Sequence, residues 1–410
     1  MIIRAEIENY GSICGRQIFD LSVPSRTPED VNRYSVINSD TRAPRVAAVF
    51  GPNASGKSSV LSALVFARDF AADAASVMND GAVVLAPFTE CKDGSSGPLS
   101  ISVEFSARWL DNTRDVFRYS VRFRRTGPFT GEVMVEELAV RKKGSWTKLF
   151  WREEDRIGAS ELSRFSASEI SFMEKTVSLN SGRSFLKQVS ILSKDNLAKV
   201  VTSDILNSLQ TNIPFHRTKG SQEDSALTKT YSDNKDLLSQ LRQMIRTADI
   251  GIADVEVETF GPAPGDPDGE QSRELYFNHT GLRRPLPLFF ESDGTKNFVN
   301  VFPRLAHALA NGGVAIMDEL DTDLHPNLLK EIVSWFHDPN QNKKDAQLIL
   351  SCNSASLLHY LEKDEIFFTE KSSFGTTRIY GLKDIEDVRR TENFYKKYLS
   401  GEYGAIPNFG

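Results

Sequence analysis

Cysteine is scarce in this chain. Only Cys14, Cys91 and Cys352 occur in 410 residues, none at metal-ligand spacing from another, so neither a zinc site nor a disulfide framework is indicated. Long apolar runs are missing as well. No stretch approaches the roughly 18 residues a membrane helix requires, so no membrane span is expected. The opening Met1–Gly11 segment has neither a signal-peptide core nor a cleavage site, and a cytoplasmic protein is the expectation. A basic excess is lacking too. With 49 Lys and Arg against 55 Asp and Glu, the formal charge is -6, so the molecule as a whole does not advertise nucleic-acid binding. A local basic patch would escape that count. No internal repeat stands out. What is present, 40% apolar and 25% charged residues, is an ordinary globular balance. The length suffices for roughly two or three packed units.

Along the chain, Ile3, Ala5 and Ile7 alternate with Arg4, Glu6 and Glu8, a strand pattern that "RQIFDLSV" repeats and pairs with. Val46–Phe50 is a continuous apolar run, as in a buried parallel strand. From Ser58 to Phe70 the period becomes helical, with Val60, Leu61, Leu64, Val65 and Phe66 on schedule. "SISVEF", "VFRYSVRFRR", "EVMVEELAV" and "WTKLFW" then read as an antiparallel meander. Residues 159–249 turn mainly helical, and Gly261–Ser272 is a Pro/Gly/acid-rich loop. "ELYFNHTG" resumes a strand, Thr295–Ala310 reads as a helix, and "VAIMDEL", "QLILSC" and "EIFFTE" read as buried strands alternating with helices. That alternation predicts a parallel α/β sheet built from both ends of the chain.

"GPNASGKSS" matches the phosphate loop G-x-x-x-x-G-K-[ST], from Gly51 through Pro52, Asn53, Ala54, Ser55, Gly56, Lys57 and Ser58 to Ser59. Its glycines let backbone N–H groups and the next helix N-terminus face an anion. Lys57 would reach the β- and γ-phosphates of ATP, and Ser58 would ligate Mg²⁺. Composition alone produces such a match in on the order of one in a hundred chains, and the strand before it and helix after it make chance less credible still. Four apolar residues of "VAIMDEL" run into Asp318 and Glu319, placing two carboxylates at the C-terminal end of a buried strand, where α/β sheets bind ligands. Asp318 would hold Mg²⁺ and Glu319 would polarise the attacking water.

With these motifs, "IENYGSI" and "MDELDTDLHP" make the chain resemble ATPases of the ABC/SMC/RecF type. It looks most like the compact bacterial ATPases of abortive-infection and other anti-phage systems, related to the ATPase part of OLD-family nucleases. The resemblance implies a degenerate S-x-G-T signature ahead of a long helix. Ser292, Gly294 and Thr295 match it, implying a homodimer in which each signature caps the γ-phosphate bound to the other subunit. A helix N-cap by Ser292 or Asp293 is the plainer alternative. Asp321 matches a loop position that communicates across such dimers, and His325-Pro326 matches the family's "LHP", with Pro326 opening the next helix. Where the family carries a γ-phosphate-contacting His, this chain has Asn353, which cannot become cationic, so hydrolysis would be slow or partner-dependent. The family's Mg²⁺-contacting glutamine is not placed. Gln188 lies in a helical segment and is a poor match.

On "VFRYSVRFRR", Arg118, Arg122 and Arg124 share a face that could track a nucleic-acid backbone, or be solvated or paired with acids such as Glu136 and Glu137. The expected fold is α/β, a P-loop ABC/SMC-like ATPase head with an antiparallel β lobe and an inserted helical subdomain. The expected division is residues 1–158, 159–250 and 251–410. The expected function is an ATPase that senses or regulates in an anti-phage system. Only about ninety residues follow Glu319 and no D-x-D cluster occurs there beyond the Asp321-Thr322-Asp323 of "MDELDTDLHP" itself, so a toxic activity, such as a nuclease, would reside in a separate effector. A RecF-like DNA-repair ATPase and an ATP-held scaffold with little turnover are the alternatives.

Overall fold

The computed structural model describes residues 1–74, 77–79, 82–85, 97–108, 114–127, 129–154, 156–160, 167–179, 182–192, 208–213, 221–247, 251–261 and 272–407. The chain divides into two compact units, one of Met1–Phe215, Ala308–Leu320 and Lys330–Gly410, the other of His216–His307 and Asp321–Leu329.

The first unit holds two large sheets. In the antiparallel one, β1 (Ile2–Tyr10) and β2 (Ile13–Asp20) form a hairpin, and β1 also pairs with β8 (Leu99–Arg108). The meander continues through β9 (Arg114–Arg125), β10 (Thr130–Lys142), β11 (Ser145–Glu153) and β12 (Arg156–Ala159), with β6 (Met78–Asn79) and β7 (Ala82–Val84) attached to β10. A small hairpin, β3 (Tyr34–Asn38) and β4 (Thr41–Pro44), precedes β5 (Val46–Phe50). The second sheet runs in the order β13 (Leu209–Thr211), β17 (Val314–Met317), β18 (Gln347–Ser351), β5, β19 (Ile366–Lys371), β20 (Thr377–Gly381). All its pairings are parallel except β19 with β20. Both ends of the chain therefore build one sheet, as the alternation of strands and helices predicts.

Helix α1 (Lys57–Ala71) joins the two sheets. Eleven of its fifteen residues are buried, which marks a helix covered on more than one side. Phe66 and Phe70 meet the ring of Phe123 on β9 edge-on at 5.6 and 4.9 Å, while Ala47, Val49, Ile316 and Ile349 of the parallel sheet belong to the same core. Each such fully buried apolar side chain contributes about 1.5–3 kcal/mol. Helices α2 (Ala167–Leu179) and α3 (Phe185–Leu192) follow the meander, and α8 (Phe394–Leu399) closes the described chain.

The outer face of β9 carries a correction. Glu136 does not pair with the arginines. It is fully buried and accepts hydrogen bonds from the Tyr119 hydroxyl (2.8 Å), the Ser184 hydroxyl (2.9 Å) and the N–H groups of Phe185 (2.6 Å) and Leu186 (3.0 Å), holding the start of α3. A bulge between Val133 and Val135 shifts the alternation of β10, so Glu136 faces inward. Arg124 instead pairs with Glu132 and Glu154 at 3.0 and 2.7 Å, Glu137 pairs with Lys148, and Arg118 lies 4.3 Å over the Trp146 ring. Cys14 on β2 is disulfide-bonded, which its position in the sequence did not indicate, and Cys352 is a buried thiol that donates to the Ser354 carbonyl.

The second unit contains helices α4 (Ser221–Asp233) and α5 (Lys235–Thr247), a sheet of β14 (Ile252–Phe260), β15 (Ser272–His279) and β16 (Leu286–Pro287), most of α6 (Asp293–Asn311) and the first turn of α7 (Pro326–His337). Leu237, Leu241 and Ile245 line one face of α5 at i, i+4, i+8 and are buried. The Tyr231 hydroxyl donates to the Val299 carbonyl at 2.7 Å, tying α4 to α6. No helix among the described residues is long and apolar enough to cross a membrane.

Candidate functional site

Every residue of β5 is fully buried, so the chain leaves the sheet at a rigid point, Gly51. The loop then curls back on itself. Gly51 and Gly56 have φ of +152° and +110°, and a Cβ at either would lie 2.3 Å from the Thr369 carbonyl oxygen or 2.1 Å from the Thr377 hydroxyl. Ala54 takes φ +62° between them. The Lys57 ammonium donates to the carbonyls of Gly51 (2.8 Å) and Pro52 (3.1 Å), bridging the loop from inside. Asn53, Ala54 and Ser58 are exposed, and Pro52 is half-buried.

Residues remote in sequence fix this loop. The Ser55 and Thr369 hydroxyls are 2.6 Å apart, and the Thr377 hydroxyl donates to the Ser55 carbonyl at 2.9 Å. Ser12, on the turn of the N-terminal hairpin, bonds to the hydroxyls of both Ser59 (2.9 Å) and Thr377 (2.7 Å). Ser59 thus buttresses the loop from the hairpin side.

The two carboxylates stand at the same edge of the sheet, because β5, β17 and β18 are parallel and end together. Ser351, the last residue of β18, joins them. Its hydroxyl donates to the Asp318 carboxylate at 2.5 Å and accepts from the Glu319 N–H at 2.6 Å. Glu319 sits at φ +49°, a left-handed conformation that costs a non-glycine residue about 1–2 kcal/mol. Asn212, just past β13, clasps the backbone of Asp318 in both directions, accepting from its N–H (2.8 Å) and donating to its carbonyl (2.9 Å). Asn353 is exposed, two residues beyond Ser351. The Gln188 amide is buried inside the first unit on α3, with neither Oε1 nor Nε2 bonded among the described residues.

In the second unit, Ser292 caps α6. Its hydroxyl accepts from the Thr295 N–H (3.2 Å) and bonds to the Thr295 hydroxyl (2.9 Å), so the plainer alternative, an N-cap, is realised by Ser292 itself. Gly294 is needed within the unit too, since a Cβ there would lie 2.4 Å from the Asp323 carbonyl oxygen. Asn297 donates to the Thr322 carbonyl at 2.7 Å, holding the segment after Asp321 against the start of α6. Pro326 does open α7, and the exposed His325 accepts from the Asn327 N–H at 3.2 Å.

A family model described as "AAA domain, putative AbiEii toxin, Type IV TA system" matches residues 46–358. The chain belongs to that family. By family it is an AAA-type P-loop ATPase. No curated protein matches it. Similar solved structures include the SMC head domain from Thermotoga maritima, at 12% identity over 93% of this chain and 98% of that one, TM-score 0.43. The Smc head domain with a coiled coil and joint from Pyrococcus yayanosii has 10% identity over 98% and 99%, TM-score 0.47. A Smc head with an extended coiled coil, bound to the C-terminal domain of ScpA and derived from Pyrococcus furiosus, has 13% identity over 93% and 96%, TM-score 0.46.

Around the phosphate loop and the carboxylates, the sequence reading missed Ser12, Asn212, Ser351, Thr369 and Thr377. Each is a small polar residue with no local pattern to single it out, at a strand end or turn except for Thr369 inside β19.

Proposed function

We propose that this chain binds ATP with Mg²⁺ and hydrolyses it at a site completed by a second copy, and that it serves as the sensor or regulator of a bacterial anti-phage system. In this reading the loop from Gly51 to Ser59 cradles the phosphates and Lys57 faces the β- and γ-phosphates. The donor set fits a hard cation, since the Ser58 hydroxyl and Asp318 carboxylate are oxygen ligands of the kind Mg²⁺ takes. The ion, when bound, would neutralise charge on the phosphate oxygens. Glu319 polarises the attacking water, and Ser292, Gly294 and Thr295 of the second copy approach the γ-phosphate, with Asp321 coupling the two sites. Asn353 can donate one hydrogen bond to the γ-phosphate but cannot carry a proton, so turnover is slow or partner-dependent.

The observation that supports this reading best is the Ser351 clamp, which links the Asp318 carboxylate to the Glu319 backbone at the sheet edge where the P-loop begins. The anti-phage role and the separate effector rest on the sequence resemblance. A cytoplasmic location belongs to the same proposal. The family description supports a second reading, in which this chain is itself the toxin. DNA clamping is less favoured, since Arg124 is paired with acids and Arg118 with a ring.

The test is ATP turnover per chain across a dilution series, with Glu319→Gln and Ser292→Arg as controls. Specific activity should fall on dilution, and both substitutions should abolish it. Turnover that persists at the lowest concentration with Ser292→Arg harmless would refute the shared site. Growth arrest on expression of this chain alone would favour the toxin reading over the regulator.

A further inference from the structure

Lysine 371 stands beside the phosphate loop in a position that no motif announces. It ends β19, two residues after Thr369, and so shares the strand face that packs on Gly51 and Ser55. Directly across the hairpin is Thr377, whose hydroxyl accepts from the Lys371 ammonium at 3.2 Å while donating to the Ser55 carbonyl. The ammonium is thereby tethered to the start of α1. That is its one hydrogen bond among the described residues, which leaves two of its three donors for a ligand. No carboxylate among the described residues forms an ion pair with it, and partial burial holds its pKa below the ordinary lysine value.

The sheet order sets which end of a phosphate chain it would meet. β5 lies between β18 and β19, with the carboxylates of Asp318 and Glu319 on the β18 side and Lys371 on the other. A nucleotide whose terminal phosphate faces the carboxylates must run its nucleoside end toward β19. We infer that Lys371 is a second cationic contact for the nucleotide, binding the α-phosphate at the nucleoside end of a nucleoside di- or triphosphate. The inference rests on the nucleotide-binding reading proposed above. It also separates two kinds of lysine: Lys57 serves the end where the bond breaks, and Lys371 serves the end common to substrate and product.

The experiment measures dissociation constants for Mg-ATP and Mg-ADP with wild type, Lys371→Met and Lys371→Arg, together with the melting temperature of each without nucleotide. Lys371→Met should weaken ATP and ADP equally, by about tenfold, as expected for losing one partly exposed charge-assisted contact. Lys371→Arg should restore most of that loss, and the melting temperature should not move. If Lys371→Met binds both nucleotides like wild type, or loses ATP while keeping ADP, the inference is wrong and the phosphate-loop reading survives. If Arg fails to rescue and the melting temperature drops, Lys371 is structural and the inference also fails. Wild type that binds neither nucleotide would overturn both.

Discussion

Replacing Ser351 with alanine removes one hydroxyl and two hydrogen bonds at the end of a fully buried strand. The loss is not symmetrical. The Glu319 N–H is left without its acceptor, at about 1–3 kcal/mol, and the Asp318 carboxylate loses a donor of the charge-assisted class, about 1.5–3 kcal/mol. The two bonds share one atom, so the terms are not additive. A net destabilisation of about 3 kcal/mol, roughly a hundredfold in the folded-to-unfolded ratio, is expected. The assay is urea denaturation followed by circular dichroism, read as a shift in midpoint at constant slope. Activity should respond separately. The Glu319 N–H, at its left-handed residue, donates to Ser351, which makes no hydrogen bond to the phosphate loop among the described residues. Turnover at saturating ATP should therefore fall by at least about tenfold with KM nearly unchanged, the mark of a group that acts on the transition state. Ser351→Thr keeps the hydroxyl and should recover much of both. A midpoint within about 0.5 kcal/mol of wild type, with unchanged turnover, would refute the claim that this serine holds the Asp318 carboxylate and the Glu319 backbone.

Gly294→Ala should abolish turnover while leaving nucleotide affinity intact, because its Cβ would meet the Asp323 carbonyl at 2.4 Å within the second unit; weakened ATP binding in a titration would contradict this. Glu136→Gln replaces an acceptor of four hydrogen bonds with a group that must donate at one of its two ends, and should cost about 2–3 kcal/mol in a urea midpoint, against less than about 0.5 for the exposed Glu132→Gln. Alkaline pH should unfold the protein. Burial pushes Tyr398 up to about 12 and raises Tyr10, Tyr119 and Tyr231 as well. Their folded pKa values exceed the unfolded value near 10, so this stability is complete below about pH 10 and lost as pH climbs through the folded values. Absorbance at 295 nm should show tyrosines ionising together with loss of structure; a gradual titration near pH 10 with the fold intact would count against it.

How far the fold could be read from residues varies with range. The strands of the meander and the phosphate-loop helix follow from periods of two and 3.6 residues, which depend only on near neighbours. The bulge at Met134 defeats the same logic one strand later, because an extra residue reverses every face that follows and sends Glu136 inward. Strand β14 carries a register shift between Ile252 and Asp254 and was not picked out. The three residues of β13 are too short for a period to show, and they fall in a stretch that otherwise reads as helical.

The sequence by itself determined the chemistry of the site: a spaced set of glycines with Lys57 and Ser58, and two carboxylates ending an apolar strand. Those signals are local because a loop that wraps an anion and a strand that delivers an acid each need contiguous residues. Tertiary structure alone decided what holds these parts. Ser12, Asn212, Ser351, Thr369 and Thr377 come from strands and turns as far as 365 residues apart in the chain. A hydroxyl or amide becomes a clamp only when parallel pairing brings its strand end beside another, and nothing in the residue itself records that neighbour.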